Sequence, residues 1–371
     1  MIHHIEEHNI PKELYELPVV IYGGANSGRD IHRLLSRAGV NISHVIDDNE
    51  NIQGQILNGT EIISFARFME LYSNRGEVAV ILATVFGMPV LKKLEPLPYV
   101  QVYEMYEWLE KVCGSKQLVE DRLKDIAAVE RFYVDTLQLD SQWADDESRR
   151  VMAGVRRYVQ TRDANDIISV STEYDHYFIP EVIEAVSRLQ GGLKIIDGGA
   201  YQGELLQSIK NLNLPLEKWY CFEADQENFK KLVYYRDLNH MQEKQICIDK
   251  GLWSSSGSLY FEGGQETVSK IIDHETDEKI DVISIDDYFR ETTCNFIKMD
   301  IEGAEYNALN GGIHTIERDR PILAISIYHS LDDFWRIPQY LMGRLKAYRY
   351  YVRHHQTVFS DTILYAIPDR S

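Results

Sequence analysis

Basic residues are scarce in this chain. Against 58 Asp and Glu stand 39 Lys and Arg, so the 371 residues carry a net charge of -19. Such a surface repels polyanions, which argues against nucleic acid or an anionic membrane as the main partner. Long apolar runs are missing too. The longest, residues 78–90, is too short to span a bilayer, and the polar residues 1–10 hold no signal-peptide core. The expectation is a cytoplasmic protein without membrane insertion. Cysteines are few: Cys113, Cys221, Cys247 and Cys294 are scattered without metal-type spacing and read as reduced structural thiols. No compact ligand spacing appears among the acids either, so no metal is assigned. Residues 99–179 lack proline altogether and contain two glycines, Gly114 and Gly154, while Leu118, Leu123, Ile126 and Val129 recur at helical spacing.

What is present is ordinary for a globular protein, with 44% hydrophobic and 26% charged residues. The length favours two domains and a connector. The pattern divides into a small Rossmann-like α/β domain at residues 1–105, a helical connector at 106–179, and a larger α/β domain at 180–371. A helical connector often supplies a dimer surface, so a homodimer is an open expectation.

The larger domain is organised around Lys194-Ile195-Ile196-Asp197-Gly198-Gly199-Ala200-Tyr201-Gln202-Gly203-Glu204. An apolar run ends in an acid, a glycine-rich turn follows, and residues 204–212 read as an amphipathic helix. Glycines admit a ligand close to the backbone, and the helix start presents N–H groups to a negative group. Asp197 at the loop mouth and Glu223 at the end of the next apolar run suggest that the ligand also carries positive charge. S-adenosylmethionine satisfies both, with its ribose diol suited to Glu223. A plain dinucleotide turn, or an empty one, is the bland alternative.

A second strand-loop-helix unit occurs earlier. Val19–Tyr22 leads into Gly23-Gly24-Ala25-Asn26-Ser27-Gly28, and residues 42–46 end in Asp47, about twenty residues on, as a ribose-reading acid requires. The loop lacks the full G-x-G-x-x-G pattern. Gly23, Gly24, Gly28 and Asp47 are therefore a second candidate nucleotide or nucleotide-sugar site beside a purely structural reading.

In the second half, strands and helices alternate, which implies a parallel sheet with ligands at the carboxyl ends of its strands. Residues 251–261 read as a strand pair around a glycine turn, residues 304–317 as one helix, and the final runs 348–354 and 362–367 as an antiparallel hairpin. Asp197, Glu223, Asp300 and His329 all fall at strand ends.

Asp197-Gly198-Gly199-Ala200-x-x-Gly203, Glu223, Ser284-Ile285-Asp286-Asp287 and above all Ile297-Lys298-Met299-Asp300-Ile301-Glu302-Gly303-Ala304-Glu305, followed by Leu309 and Gly311, resemble the FkbM family of S-adenosylmethionine-dependent methyltransferases. The resemblance covers residues 165–368, and the Lys-x-Asp-x-Glu-Gly-Ala-Glu segment is its most specific part. One departure is Glu223-Ala224, where the family often has Glu-Pro. The resemblance implies a class I methyltransferase fold, a Rossmann-like seven-stranded sheet with its last hairpin antiparallel. It also implies O-methylation of a hydroxyl on a sugar, glycan or related small molecule. The expected cofactor-binding residues are Asp197, Gly198, Gly199, Ala200, Gly203, Glu223, Ala224, Asp249, Lys250, Gly251 and Asp300.

Methyl transfer from a sulfonium needs an aligned acceptor oxygen and a group to take its proton. Asp300, Glu302 and His329 are the candidates, and Lys298 reads as an ion-pair partner. In the bland reading Glu302 caps the following helix and His329 is a packing residue at a strand end. The competing functions are a nicotinamide-dependent oxidoreductase or epimerase, which the lack of a Tyr-x-x-x-Lys pair beside the first loop disfavours, and a non-catalytic sugar-nucleotide-binding module. Tyr174-Asp175-His176-Tyr177-Phe178 is aromatic and polar enough to meet a substrate.

Overall fold

The computed structural model describes residues 2–5, 10–84, 87–105, 126–262, 270–272 and 278–369. The chain divides into two compact units. The first comprises Met1–Asp121, Arg162–Glu173 and Gln356–Ser360; the second comprises Arg122–Thr161, Tyr174–His355 and Asp361–Ser371. The described part of 106–179 holds helices Ile126–Leu137, Asp146–Thr161 and Ala164–Ile168, with residues 162–173 in the first unit and the rest in the second. Cys113, Leu118 and Leu123 lie outside the described residues. Among the described residues no helix is long and apolar enough to cross a membrane.

In the first unit the strands are β1 (Ile2–His4), β2 (Val19–Tyr22), β3 (Ile42–Ile46), β4 (Ile56–Leu57), β5 (Thr60–Ile63), β6 (Val78–Leu82) and β7 (Val100–Glu104). Their order is β1-β7-β6-β2-β3-β5-β4, parallel except where β4 turns back on β5. The order reverses between β2 and β6, both apolar and buried along their whole length, as a strand covered on both faces must be. Helix Asn26–Arg37 follows β2. Helix Phe65–Tyr72 starts at Ser64, whose hydroxyl accepts from the Arg67 amide, and buries Phe68 and Tyr72 against Val20 and Val80.

The second unit continues with β8 (Leu193–Gly198), β9 (Leu216–Phe222), β10 (Gln245–Ile248), β11 (Gly251–Leu252), β12 (Gly257–Glu262), β13 (Lys270–Ile272), β14 (Glu278–Ile283), β15 (Phe296–Met299), β16 (Ile322–Ser326), β17 (Tyr348–His354) and β18 (Thr362–Pro368). Its main sheet runs β10-β9-β8-β15-β16-β18-β17. It is parallel from β10 through β16, and β18 runs antiparallel to both its neighbours. This is the seven-stranded class I arrangement with an antiparallel final hairpin. The chain winds outward from β8 in both directions, so the crevice opens above β8 and β15.

Two expectations for this half need correction. Residues 251–261 do not form a hairpin: β14 lies between β11 and β12, pairing parallel with one and antiparallel with the other. The single helix expected over 304–317 is two, Glu305–Asn310 and Ile313–Asp319, broken at Gly311-Gly312. A Cβ on Gly311 would stand 2.3 Å from the Trp253 carbonyl oxygen, and one on Gly312 would stand 3.0 Å from Ile285. Close packing of that segment selects glycine, and the glycine pair ends the helix.

Candidate active site

The glycine loop leaves β8 between the ends of β9 and β15. Gly199 has φ +67°, and a Cβ there would lie 1.9 Å from the Asp300 carbonyl oxygen. Only glycine lets these two strand ends close. The amides of Gly199 and Ala200 both donate to the Phe222 carbonyl, at 3.0 and 3.1 Å, and the Tyr201 amide donates to Glu223 Oε2 at 2.8 Å. The inner rim of the loop is thus tied to β9 instead of serving as an anion cradle. Glu223 also accepts the Asp225 amide on Oε1 at 2.9 Å. Burial pushes its carboxyl upward, and these two donors work against that push.

Asp197 is not the rim acid that the sequence reading makes it. Its side chain is 1% exposed; Oδ1 lies 3.0 Å from Lys298 Nζ, and Oδ2 accepts from Trp219 Nε1 at 3.0 Å. Lys298 also donates to the carbonyls of Gly198 and Gly199, at 3.0 and 2.5 Å. Burial opposes its charge, but Asp197 and Asp300 outweigh that and hold the ammonium above its ordinary pKa. Asp197 and Lys298 therefore brace the loop from beneath.

Asp300 follows β15 and faces several groups. Tyr177 donates to Oδ2 at 3.2 Å, Tyr328 donates to Oδ1 at 3.1 Å, and His329 Nε2 lies 3.4 Å from Oδ1. Burial pushes the Asp300 carboxyl up, but His329, Lys298 and His176 together bring it below its usual value, so it stays ionised. His329 is enclosed by acids, with Nδ1 3.0 Å from Glu305 Oε1 and Nε2 3.6 Å from Glu302 Oε2. Burial resists its charge; Glu305 foremost, then Asp300 and Glu302, overcome that and push its pKa up to about 10. An imidazolium has no lone pair to take a proton. Of the three sequence candidates, Asp300, Glu302 and His329, the geometry thus favours Asp300 as the proton acceptor.

Glu302 sits in the left-handed region at φ +56°, with its side chain largely exposed. It does not cap the next helix: Ala304 occupies that position, and Glu305 Oε1 accepts the Ile301 amide at 2.7 Å. Further along the rim, Asp249 is exposed and accepts from Gln226 Nε2 at 2.6 Å, and Lys250 is half-buried. Gly251 packs beside Ala224, to which an added Cβ would come within 3.7 Å. The ends of β8, β9, β10 and β15 accordingly carry Gly198, Gly199, Ala200, Glu223, Ala224, Asp249, Lys250, Gly251 and Asp300, while Gly203 packs beside Leu232, Gln245 and Trp219.

Tyr177 belongs to the segment expected to meet a substrate, whereas Tyr328 and Asp361 are not among the expected site residues. His176 forms a close ion pair with Asp361 and stacks on Tyr177 at 4.2 Å between ring centroids. An aromatic-polar run was the only signal for Tyr177. Nothing in the sequence marks Asp361, which reaches His176 across 185 residues.

The residues of the first loop form a separate cluster within their own unit. The Gly24 amide donates to Asp47 Oδ2 at 2.6 Å, and the Asn49 amide to Oδ1 at 2.8 Å. A Cβ on Gly28 would fall 1.7 Å from the Gly23 carbonyl oxygen, so the helix start is pressed onto the loop. Asp47 thus fastens the glycine loop with one oxygen and the turn after its own strand with the other.

Residues 197–352 match the methyltransferase FkbM domain. These residues form an FkbM-type methyltransferase domain. A crystal structure of methyltransferase FkbM from Methylobacillus flagellatus KT is 22% identical, with 96% of this chain and 94% of that one covered at a TM-score of 0.56; it shares the fold. A putative rRNA-methylase from Clostridium thermocellum (9% identity, 50% of this chain and 90% of that one, TM-score 0.33) and an rRNA methylase from Streptococcus thermophilus (14%, 50% and 92%, 0.33) are more distant. None of the curated proteins compared matches the chain.

Proposed function

We propose that the FkbM-type domain transfers a methyl group from S-adenosylmethionine to a hydroxyl oxygen of a sugar, glycan or related small molecule. The observation that carries this reading is the Asp300 carboxylate, kept ionised and held by two tyrosine hydroxyls at the end of the strand that flanks the glycine loop. The pocket edge suits the donor. Glu223 is fixed by two backbone amides, and its remaining lone pairs are available to a ribose diol. Gly251 and Ala224 leave room for a flat base beside it. The bound sulfonium would supply an activated methyl group.

The protein's own work is then positioning and proton removal. Asp300 accepts the proton of the acceptor hydroxyl, and Tyr177 and Tyr328, each donating to one of its oxygens, fix the orientation of the carboxylate. Lys298 and Asp197 keep the loop under the donor rigid. The test is calorimetry with S-adenosylhomocysteine, followed by methyl-transfer assays over a panel of free and nucleotide-linked sugars. Asp300→Asn should keep the binding and lose about 10²- to 10⁴-fold in turnover, the range of a positioned general base. Absence of S-adenosylhomocysteine binding, or full turnover in Asp300→Asn, overturns the reading.

A further inference from the structure

No metal-type spacing is visible along the chain, yet the fold brings three ligand types together. Asp300 at the end of β15, Glu305 in the first turn of the next helix and His329 after β16 each offer one atom within 4.8 Å of the other two. Glu302 Oε2 comes to 3.6 Å from the same imidazole on the open side. Three carboxylates therefore converge on one ring, and negative charge exceeds positive whichever form that ring takes.

The second observation concerns orphaned atoms. Glu305 is fully buried; its Oε1 serves the Ile301 amide, but its Oε2 has no hydrogen-bond partner among the described residues. His329 is also buried, and among the described residues its Nδ1 makes no well-aligned hydrogen bond, its 3.0 Å contact with Glu305 Oε1 being an ion pair. Unpaired buried polar atoms are costly, and two at one spot point to a group that satisfies them.

We propose that Asp300, Glu305 and His329 form a binding site for a divalent cation, the ion displacing the imidazolium proton of His329 to solvent as it enters, with Glu302 closing the site from the solvent side. Carboxylate oxygens with a single imidazole suit a hard or borderline ion such as Mn²⁺ or Mg²⁺, whose remaining positions take water or ligand oxygens. Asp300 presents Oδ1 to His329 and Oδ2 to Tyr177, so one oxygen can serve the cation while the other faces a substrate proton. Resting on the methyl-transfer reading, the ligand class that follows is an acceptor with two neighbouring oxygens, a vicinal diol or a hydroxy acid, gripped through the open positions.

The cation is tested without donor or acceptor, so the two readings can fail separately. The full chain, stripped with chelator, is titrated with Mn²⁺ to about 1 mM, the weak end of protein carboxylate sites. Electron paramagnetic resonance of free Mn²⁺ should report one saturable ion per chain. Glu305→Gln and His329→Gln, with folding checked by circular dichroism, should weaken it by at least about tenfold, the loss that even an outer-shell partner brings. If either variant fails to fold, the wild-type histidine ring signals decide: broadening of His329 by substoichiometric Mn²⁺ supports the site. No saturable binding, binding unchanged in folded Glu305→Gln, or broadening that spares His329 overturns it and leaves a structural ion-pair cluster. S-adenosylhomocysteine binding then still stands or falls on its own.

Discussion

Lys298 Nζ lies 3.0 Å from Asp197 Oδ1, and neither side chain reaches solvent. The pair sits under the glycine loop, with the ammonium also holding the Gly198 and Gly199 carbonyls. A buried ion pair adds modest net stability, because desolvation consumes much of its attraction, but breaking one side strands a charge. Lys298→Met should therefore cost about 3–5 kcal/mol in urea unfolding. Adding Asp197→Asn, which keeps an acceptor for Trp219 Nε1, should recover most of that loss. A double variant no more stable than Lys298→Met would contradict the argument.

The two left-handed glycines of the loop should respond unequally to alanine. Gly199 has φ +67° and a backbone oxygen 1.9 Å from the would-be Cβ; Gly203 has φ +87° but nothing nearer than 3.3 Å, from the Leu232 side chain. Gly203→Ala should cost about 1–2 kcal/mol, the left-handed penalty alone. Gly199→Ala should exceed it by a further 1–3 kcal/mol, roughly what overpacking adds. Denaturant midpoints of the two variants check the order, and equal losses would mean that β8 and β15 can part.

The sequence carried the alternation of strands and helices well, because period and turn chemistry are local. β2, β3 and β17 stand at the residues that their local patterns mark. What it could not carry depends on neighbours distant in the chain. The break at Gly311-Gly312 comes from the approach of Trp253, and β14 slides between β11 and β12, which adjacency in sequence suggested as partners. The rim acids were legible as strand-end residues, but not which of them turned inward. Asp197 and Glu223 look alike in sequence; only the positions of Lys298 and of the Tyr201 and Asp225 amides separate their roles. Arg353 is the extreme case. In β17 it is fully buried, donating to Asp145, Glu181 and Ser148, and a local pattern contains no trace of those partners.

A pH dependence of stability should arise in the first unit. Glu104 closes β7 fully buried; its Oε1 accepts from Thr357 at 3.1 Å, and its Oε2 has no hydrogen-bond partner among the described residues. Burial, only partly offset by Thr357, pushes its carboxyl from 4.5 up to about 7. Between those values the folded chain holds a proton that the unfolded chain has lost, so stability falls as pH rises. The favourable contribution is complete below pH 4.5 and is lost by about pH 7. Glu104→Gln keeps an acceptor for Thr357 and should flatten this segment of the stability curve. An unchanged slope between those pH values in thermal unfolding would place the proton elsewhere.

The last prediction separates binding from chemistry. Glu223 and Asp300 are both rim carboxylates, but Glu223 is fixed by the Tyr201 and Asp225 amides while Asp300 is held by tyrosine hydroxyls and His329. If Glu223 holds the donor's ribose, its interaction is the same before and during methyl transfer and acts as uniform binding. Glu223→Ala should weaken S-adenosylhomocysteine binding by about 10- to 100-fold, the loss expected for one or two hydrogen bonds to a charged group. It should also raise KM for the donor and leave kcat nearly unchanged. Asp300→Asn should do the reverse, lowering kcat with little change in donor affinity. Two variants that both reduce kcat and leave affinity intact would mean that the donor does not lie against β9, since a carboxylate that never touches it cannot govern its binding.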